Sequence, residues 1–133
     1  DELTLGNPWH LHTDVGPVID ATAKTKIEQY ILQHSVAGRL LKHLSAPTNG
    51  LFVGPAVIKL NGIEDLKEEV FGPVLHVATF AAKDLDQVVK SINAQGYGLT
   101  FGVHTRVDAR VEQLIKGVHA GNTYVNRNQI RYL

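Results

Sequence analysis

The sequence predicts an α/β protein built on mostly parallel strands. Three observations carry that prediction. The runs VLHVATF (74–80), GLTFGVHT (98–105) and NTYVN (122–126) have the length and apolar character of buried strands. Leu85, Val88, Val89 and Ile92 recur at i, i+3, i+4 and i+7, the stripe of an amphipathic helix over 84–94. Val107, Val111, Leu114, Ile115 and Val118 mark a second helix near 106–117. Strand and helix therefore alternate across 74–126, as a βαβαβ core with parallel strands and right-handed crossovers would require.

The earlier part of the chain is less regular. Asn7-Pro8 and Gly16-Pro17 are turn or extended signals, so residues 1–20 read as irregular. Asp20 suits an N-cap, and Ile27, Tyr30 and Ile31 share one face of a helix over 21–34. GRLLKHL (38–44) reads as a short strand and SAPTNG (45–50) as a loop. LFVGPAVIKL (51–60) reads as a second extended segment, which Pro55 either confines to a sheet edge or breaks. NGIEDLKEE (61–69) is a polar loop with room for one helical turn. Gly96 closes the helix that precedes it. Residues 1–73 thus form an irregular, helical and edge-strand region ahead of the 74–126 core.

Composition excludes several functions. At 133 residues the chain suits one domain with a real core. Thirteen basic residues balance thirteen acidic ones, so the footprint of a nucleic-acid binder is missing. No apolar run reaches the ~18 residues of a transmembrane helix. There is no cysteine, which removes disulfides, thiolate–zinc sites and thiol catalysis from these residues. A reducing compartment is compatible with that composition, and the cytoplasm is the expected location. There is also no methionine, even at residue 1, so the expectation is a piece of something longer.

Few motifs carry chemistry by themselves. GYGLTFG (96–102) and GVHAGNT (117–123) do not follow a strand and open a helix, as a phosphate loop must, and read as helix caps and turns. His10 and His12 alternate but have no third ligand nearby, so no metal is expected. Asn126, Arg127 and Asn128 follow the last strand, where α/β sheets bind ligands; they read either as donors to an anion or carbonyl or as a polar loop. In KEEVFGPVLHV (67–77), two acids and an aromatic precede a Gly-Pro turn and a strand. Glu68 and Glu69 are solvated surface on one reading. On the other, a carboxylate accepts hydrogen bonds from a vicinal diol such as ribose, and Phe71 packs on a flat heterocycle.

DLKEEVFGPVLHV (65–77) closely resembles the E-x-F-G-P segment of the aldehyde dehydrogenase superfamily. DVGPVID (14–20) and FVGPAVI (52–58) are similar to flanking segments of that family. GYGLTFGVHTR (96–106) and GNTYVNRN (121–128) resemble the branch acting on L-glutamate γ-semialdehyde (1-pyrroline-5-carboxylate), above all the dehydrogenase half of the bifunctional proline-utilization flavoproteins. The resemblance covers residues 3–128. It implies part of a three-layer α/β sandwich around a mostly parallel sheet. It implies NAD as cofactor, with FAD confined to the proline dehydrogenase half of a bifunctional parent, and a small aldehyde as substrate. It maps the ribose-binding glutamate to Glu69 and the nicotinamide-side aromatic to Phe71, and assigns no catalytic residue to this chain.

In the family, a cysteine thiolate attacks the aldehyde, hydride passes to NAD, and water hydrolyses the thioester. The resemblance places the cysteine upstream of Asp1, and the general-base Glu and oxyanion-hole Asn further upstream. The NAD-binding domain and oligomerisation arm are also outside the segment. The loop that anchors the substrate should follow Asn128, yet the chain reads QIRYL, and Arg131, Tyr132 and Leu133 depart from the family pattern. An isolated chain of this kind is expected to lack dehydrogenase activity and to self-associate through exposed sheet edges. The alternative is a non-catalytic module or subunit that kept the fold.

Overall fold

Asp20 begins the first helix as its residue type predicts. Its carboxylate accepts a 2.7 Å hydrogen bond from the Ala23 amide, satisfying one orphan donor of α1, Ala21–Val36. A computed structural model describes residues 2–129; Ile130 and Arg131–Leu133, whose fit to the family pattern was at issue, lie outside that range. The chain divides into two units, Asp1–Thr79 and Phe80–Leu133.

In the first unit, α1 is followed by β1, Leu40–His43, β2, Ala56–Lys59, and β3, Val74–Val77. The sheet order is β1-β2-β3, with β1–β2 antiparallel and β2–β3 parallel. Ile27 and Ile31 of α1 pack with Val53 and Ala56, flanked by Leu40, Val70 and Val74. Ile58, fully buried, lies in register beside His76. A single 3-10 turn, Ile63–Asp65, occupies the polar loop as expected. Asp65 caps it back onto the chain, accepting from the Asn61 backbone and side chain and from Arg39, each at 3.0 Å. Those donors, the Asn61 amide foremost, hold the Asp65 carboxyl below its usual range. Residues 2–20 are largely irregular, with one isolated bridge between Leu5 and Val15.

Of the two readings of Pro55, the edge is corrected, since β2 is the central strand of its sheet, and the break agrees with a ladder that starts only at Ala56. The physical reason is a matter of one residue. Pro55 stands immediately before the strand, where its missing N–H costs no ladder bond, and its carbonyl still accepts from Leu44 at 2.9 Å. The Ala56 amide donates to Pro73, so pairing on both sides starts at once.

The second unit opens with a 3-10 turn, Ala82–Asp84, and α2, Leu85–Ala94. It continues through β4, Thr100–Val103, α3, Asp108–Gly117, and β5, Asn122–Val125. β4 and β5 are parallel, so this strand–helix–strand run has the pairing its alternation predicts. Val89, Val103, Leu114 and Val118 form the core, whereas Val107 and Ile115 of the expected stripe are exposed. Gly96 ends α2 at φ +75°, a conformation that suits glycine. Asn93 ties the two helix ends together: its amide donates to the Gly117 carbonyl and accepts from the His119 amide. Among the described residues, no helix is long and apolar enough to cross a membrane.

Candidate functional site

The loop between the 3-10 turn and β3 carries Glu68, Glu69 and Phe71. It lies along α1 and encloses with it a cleft of about 360 Å³, open to solvent. Asp20, Thr22, Lys26 and Tyr30 line it from the helix side, and Glu68, Glu69, Val70 and Phe71 from the loop side. The two residues selected from sequence, Glu69 and Phe71, therefore share one cleft.

Their surroundings differ from those of structural side chains. The Glu69 carboxylate accepts no hydrogen bond and joins no ion pair among the described residues, so both its oxygens remain available. Phe71 is 80% exposed, so most of its ring surface is open to solvent. The loop beneath them is held firmly. Gly72 lies so close to α1 that a Cβ there would stand 2.5 Å from Cδ1 of the buried Ile27. The Gly72 amide donates to Val70, and the Val74 amide donates to Gly72.

Sequence reasoning missed Lys26 and Tyr30 as cleft residues. The signal was present in their spacing: Thr22, Lys26 and Tyr30 recur at i, i+4 and i+8 beside the buried Ile27. Lys26 brings an ammonium to a cleft with three carboxylates. The Tyr30 hydroxyl meets Nε2 of His76 at 2.8 Å, and its ring stacks at a tilt on His34, with centroids 4.4 Å apart. Burial, then the negative charge of Glu68, raises the Tyr30 hydroxyl above its ordinary pKa. Burial also lowers His34 and His76, with Arg39 adding to the first and His34 to the second.

Two of the remaining candidates, Asn126 and Arg127, have partners within the protein. Asn126 takes φ +52° and spends its side chain on Thr105, accepting from its amide and donating to its carbonyl, each at 2.9 Å. Arg127 lies over the Tyr124 ring, 5.3 Å from its centroid. His10 and His12 rings stand 5.4 Å apart, and no set of three metal-ligating side chains occurs among the described residues. A second cleft of about 460 Å³, lined by Leu3, Leu44, Val57 and Leu75 among others, is apolar and holds none of the selected residues.

By its chemistry the cleft offers an unspent carboxylate to hydroxyl donors and a bare ring to a flat heterocycle. Comparison with known proteins bears on the family rather than on these side chains. Residues 1–132 match the aldehyde dehydrogenase family. The chain is 45% identical, over 97% of its length, to the bifunctional protein PutA of Klebsiella aerogenes, of which it spans 10%. It is 40% identical, over 95% of its length, to 1-pyrroline-5-carboxylate dehydrogenase 1 of Halalkalibacterium halodurans, of which it spans 25%. A crystal structure of a Bradyrhizobium japonicum proline utilization A variant matches with a TM-score of 0.91 at 44% identity, covering 97% of this chain and 13% of that one. A betaine aldehyde dehydrogenase from Staphylococcus aureus, solved in complex with NAD+, matches at 0.78 and 26% identity, covering 98% of this chain and 28% of that one.

Proposed function

Because this chain belongs to the aldehyde dehydrogenase family, and its fold is that of the family's catalytic domain in part, we propose that it forms the coenzyme-facing wall of an NAD-dependent dehydrogenase. The substrate is L-glutamate γ-semialdehyde, oxidised to glutamate in proline catabolism in the cytoplasm. Relatives named PutA and 1-pyrroline-5-carboxylate dehydrogenase support that substrate. FAD belongs to the proline dehydrogenase half where the parent is bifunctional.

One observation carries the reading: Glu69 and Phe71 face a single cleft with their binding capacity unused. Glu69 would accept from the two hydroxyls of the nicotinamide-side ribose. Phe71 would offer its ring to the nicotinamide, and Lys26 an ammonium that offsets the carboxylates around it. Bound NAD would accept the hydride of the aldehyde. These residues orient and bind; none breaks a bond. The chain contains no cysteine, so it contributes no thiol nucleophile and is expected to be inactive alone.

The test is Glu69→Ala in the full-length dehydrogenase carrying this segment. Losing hydrogen bonds to a charged acceptor, at about 1.5–3 kcal/mol each, should raise the coenzyme Kd by roughly tenfold or more. Glu69→Gln should fall between. Unchanged coenzyme affinity in the alanine variant overturns the assignment of Glu69.

A further inference from the structure

The loop that carries Glu69 and Phe71 runs directly into β3, and β3 is tied to α1 by one polar contact, between Tyr30 and His76, 46 residues apart in sequence. Tyr30 also lines the cleft. Tyr30 thus touches the strand through its hydroxyl and shares the cleft with Glu68 and Glu69. We infer that Tyr30 and His76 form a proton-set positioning pair for the Glu69–Phe71 loop.

With His76 neutral and its proton on Nδ1, Nε2 is an acceptor, and the Tyr30 hydroxyl donates into the strand. With His76 protonated, Nε2–H donates instead, and the Tyr30 oxygen becomes the acceptor. The hydroxyl proton must then turn to another partner. The carboxylate whose charge reaches Tyr30 is that of Glu68. The direction of donation across the 2.8 Å contact then reverses, and the hydroxyl proton becomes available to the cleft that Tyr30 lines together with Glu68 and Glu69.

The groups facing His76 are Tyr30 and His34 from α1 and the apolar Ile58 from β2. Arg39, at the start of the next segment, acts on His34, and Glu68 acts on Tyr30. Burial favours the neutral ring, so the reversal lies on the acid side of the ordinary histidine range.

The functional consequence rests on the reading of Glu69 as a coenzyme ligand, but the coupling itself needs no coenzyme. It is tested on this chain by NMR. The imidazole nitrogens of His76 and the backbone amides of Glu69, Val70, Phe71 and Gly72 are followed from about pH 5 to 8. The loop amides should titrate with the His76 midpoint in the wild type and stay flat in His76→Gln, whose amide can still accept from Tyr30. In Tyr30→Phe, His76 should still titrate while the loop no longer follows. A His34→Gln variant should leave the loop titration in place. The Ala23 amide, capped by Asp20, reports whether each variant remains folded. Loop amides that are flat in the wild type, that follow His76 in Tyr30→Phe, or that lose their titration in His34→Gln overturn the pairing. Should the coupling hold while Glu69→Ala leaves coenzyme affinity unchanged, the functional assignment fails and the positioning pair stands.

Discussion

Replacing Gly72 by alanine isolates the contact that fixes the cleft's loop wall against α1. The backbone there avoids the left-handed region, so alanine meets no conformational strain. What it meets is Ile27: the added methyl would stand 2.5 Å from Cδ1, 3.2 Å from Cγ1 and 3.5 Å from Cγ2 of a side chain that is 4% exposed. Ile27 cannot swing into solvent, so the helix, the loop or the rotamer must shift. Overpacking of this kind costs about 1–3 kcal/mol. Alanine recovers about 0.4–1 kcal/mol by narrowing the unfolded ensemble. The net expectation is a loss of roughly 0–2.6 kcal/mol, or a melting point lower by about 4 °C for each kcal/mol, read by urea and thermal denaturation. A double-mutant cycle separates the clash from any general weakening. Ile27→Val alone should cost about 0.5–1.5 kcal/mol by leaving a small void. Combined with Gly72→Ala, it removes the atom in closest conflict, so the double variant should be more stable than the sum of the singles by about 0.5–2 kcal/mol. Additive costs, or a Gly72→Ala protein more stable than the wild type, would refute the reasoning.

Other outcomes follow from the same structure. Because burial lowers His34 and His76, the unfolded chain binds protons that the folded chain declines; this contribution is complete above the ordinary histidine pKa of about 6.5 and is lost as pH falls through it, levelling off below the folded-state values. Urea midpoints should drop from pH 8 to pH 5.5, by less in His76→Gln; these pH values are rough brackets of that range. Asn126→Ala forces a left-handed backbone on alanine and removes both bonds to Thr105, so it should cost about 1–3 kcal/mol, while Asn126→Gly should recover the backbone part only. Leu41 on β1 and Leu75 on β3 are exposed on the two edge strands of their sheet, and Leu41→Lys with Leu75→Lys should lower the concentration-dependent light scattering of the chain; scattering unchanged by the pair removes these edges as the contact.

The elements of this chain were legible where local chemistry decides them. Asp20 followed by Ile27 and Ile31 predicts α1 because a cap and a 3.6-residue stripe are properties of one segment. Pro55 left two readings open because composition cannot show which residue of an extended run first joins the ladder; the strand begins one position later, so the run is broken at Pro55 and the strand can still be central. β3 likewise looks, from sequence, like the first strand of an alternating series, yet it takes β2 as ladder partner. Strand partners are chosen by long-range packing, to which short apolar runs of similar composition are blind.

The cleft divides along the same line. Glu69 and Phe71 stand in one contiguous motif, so the sequence pointed to them. Lys26, Tyr30 and His76 come from a helix and a strand that only folding brings together, and a scan for contiguous motifs passes over them. What was legible is the part of the site that could bind a ligand. What was not is the part that sets where the ligand-binding part stands. On the proposed reading the second sets how well the first works: a carboxylate misplaced by an ångström would lose a two-point contact with a diol, and the loop that carries it adjoins a glycine packed against Ile27 and a strand whose His76 meets the Tyr30 hydroxyl.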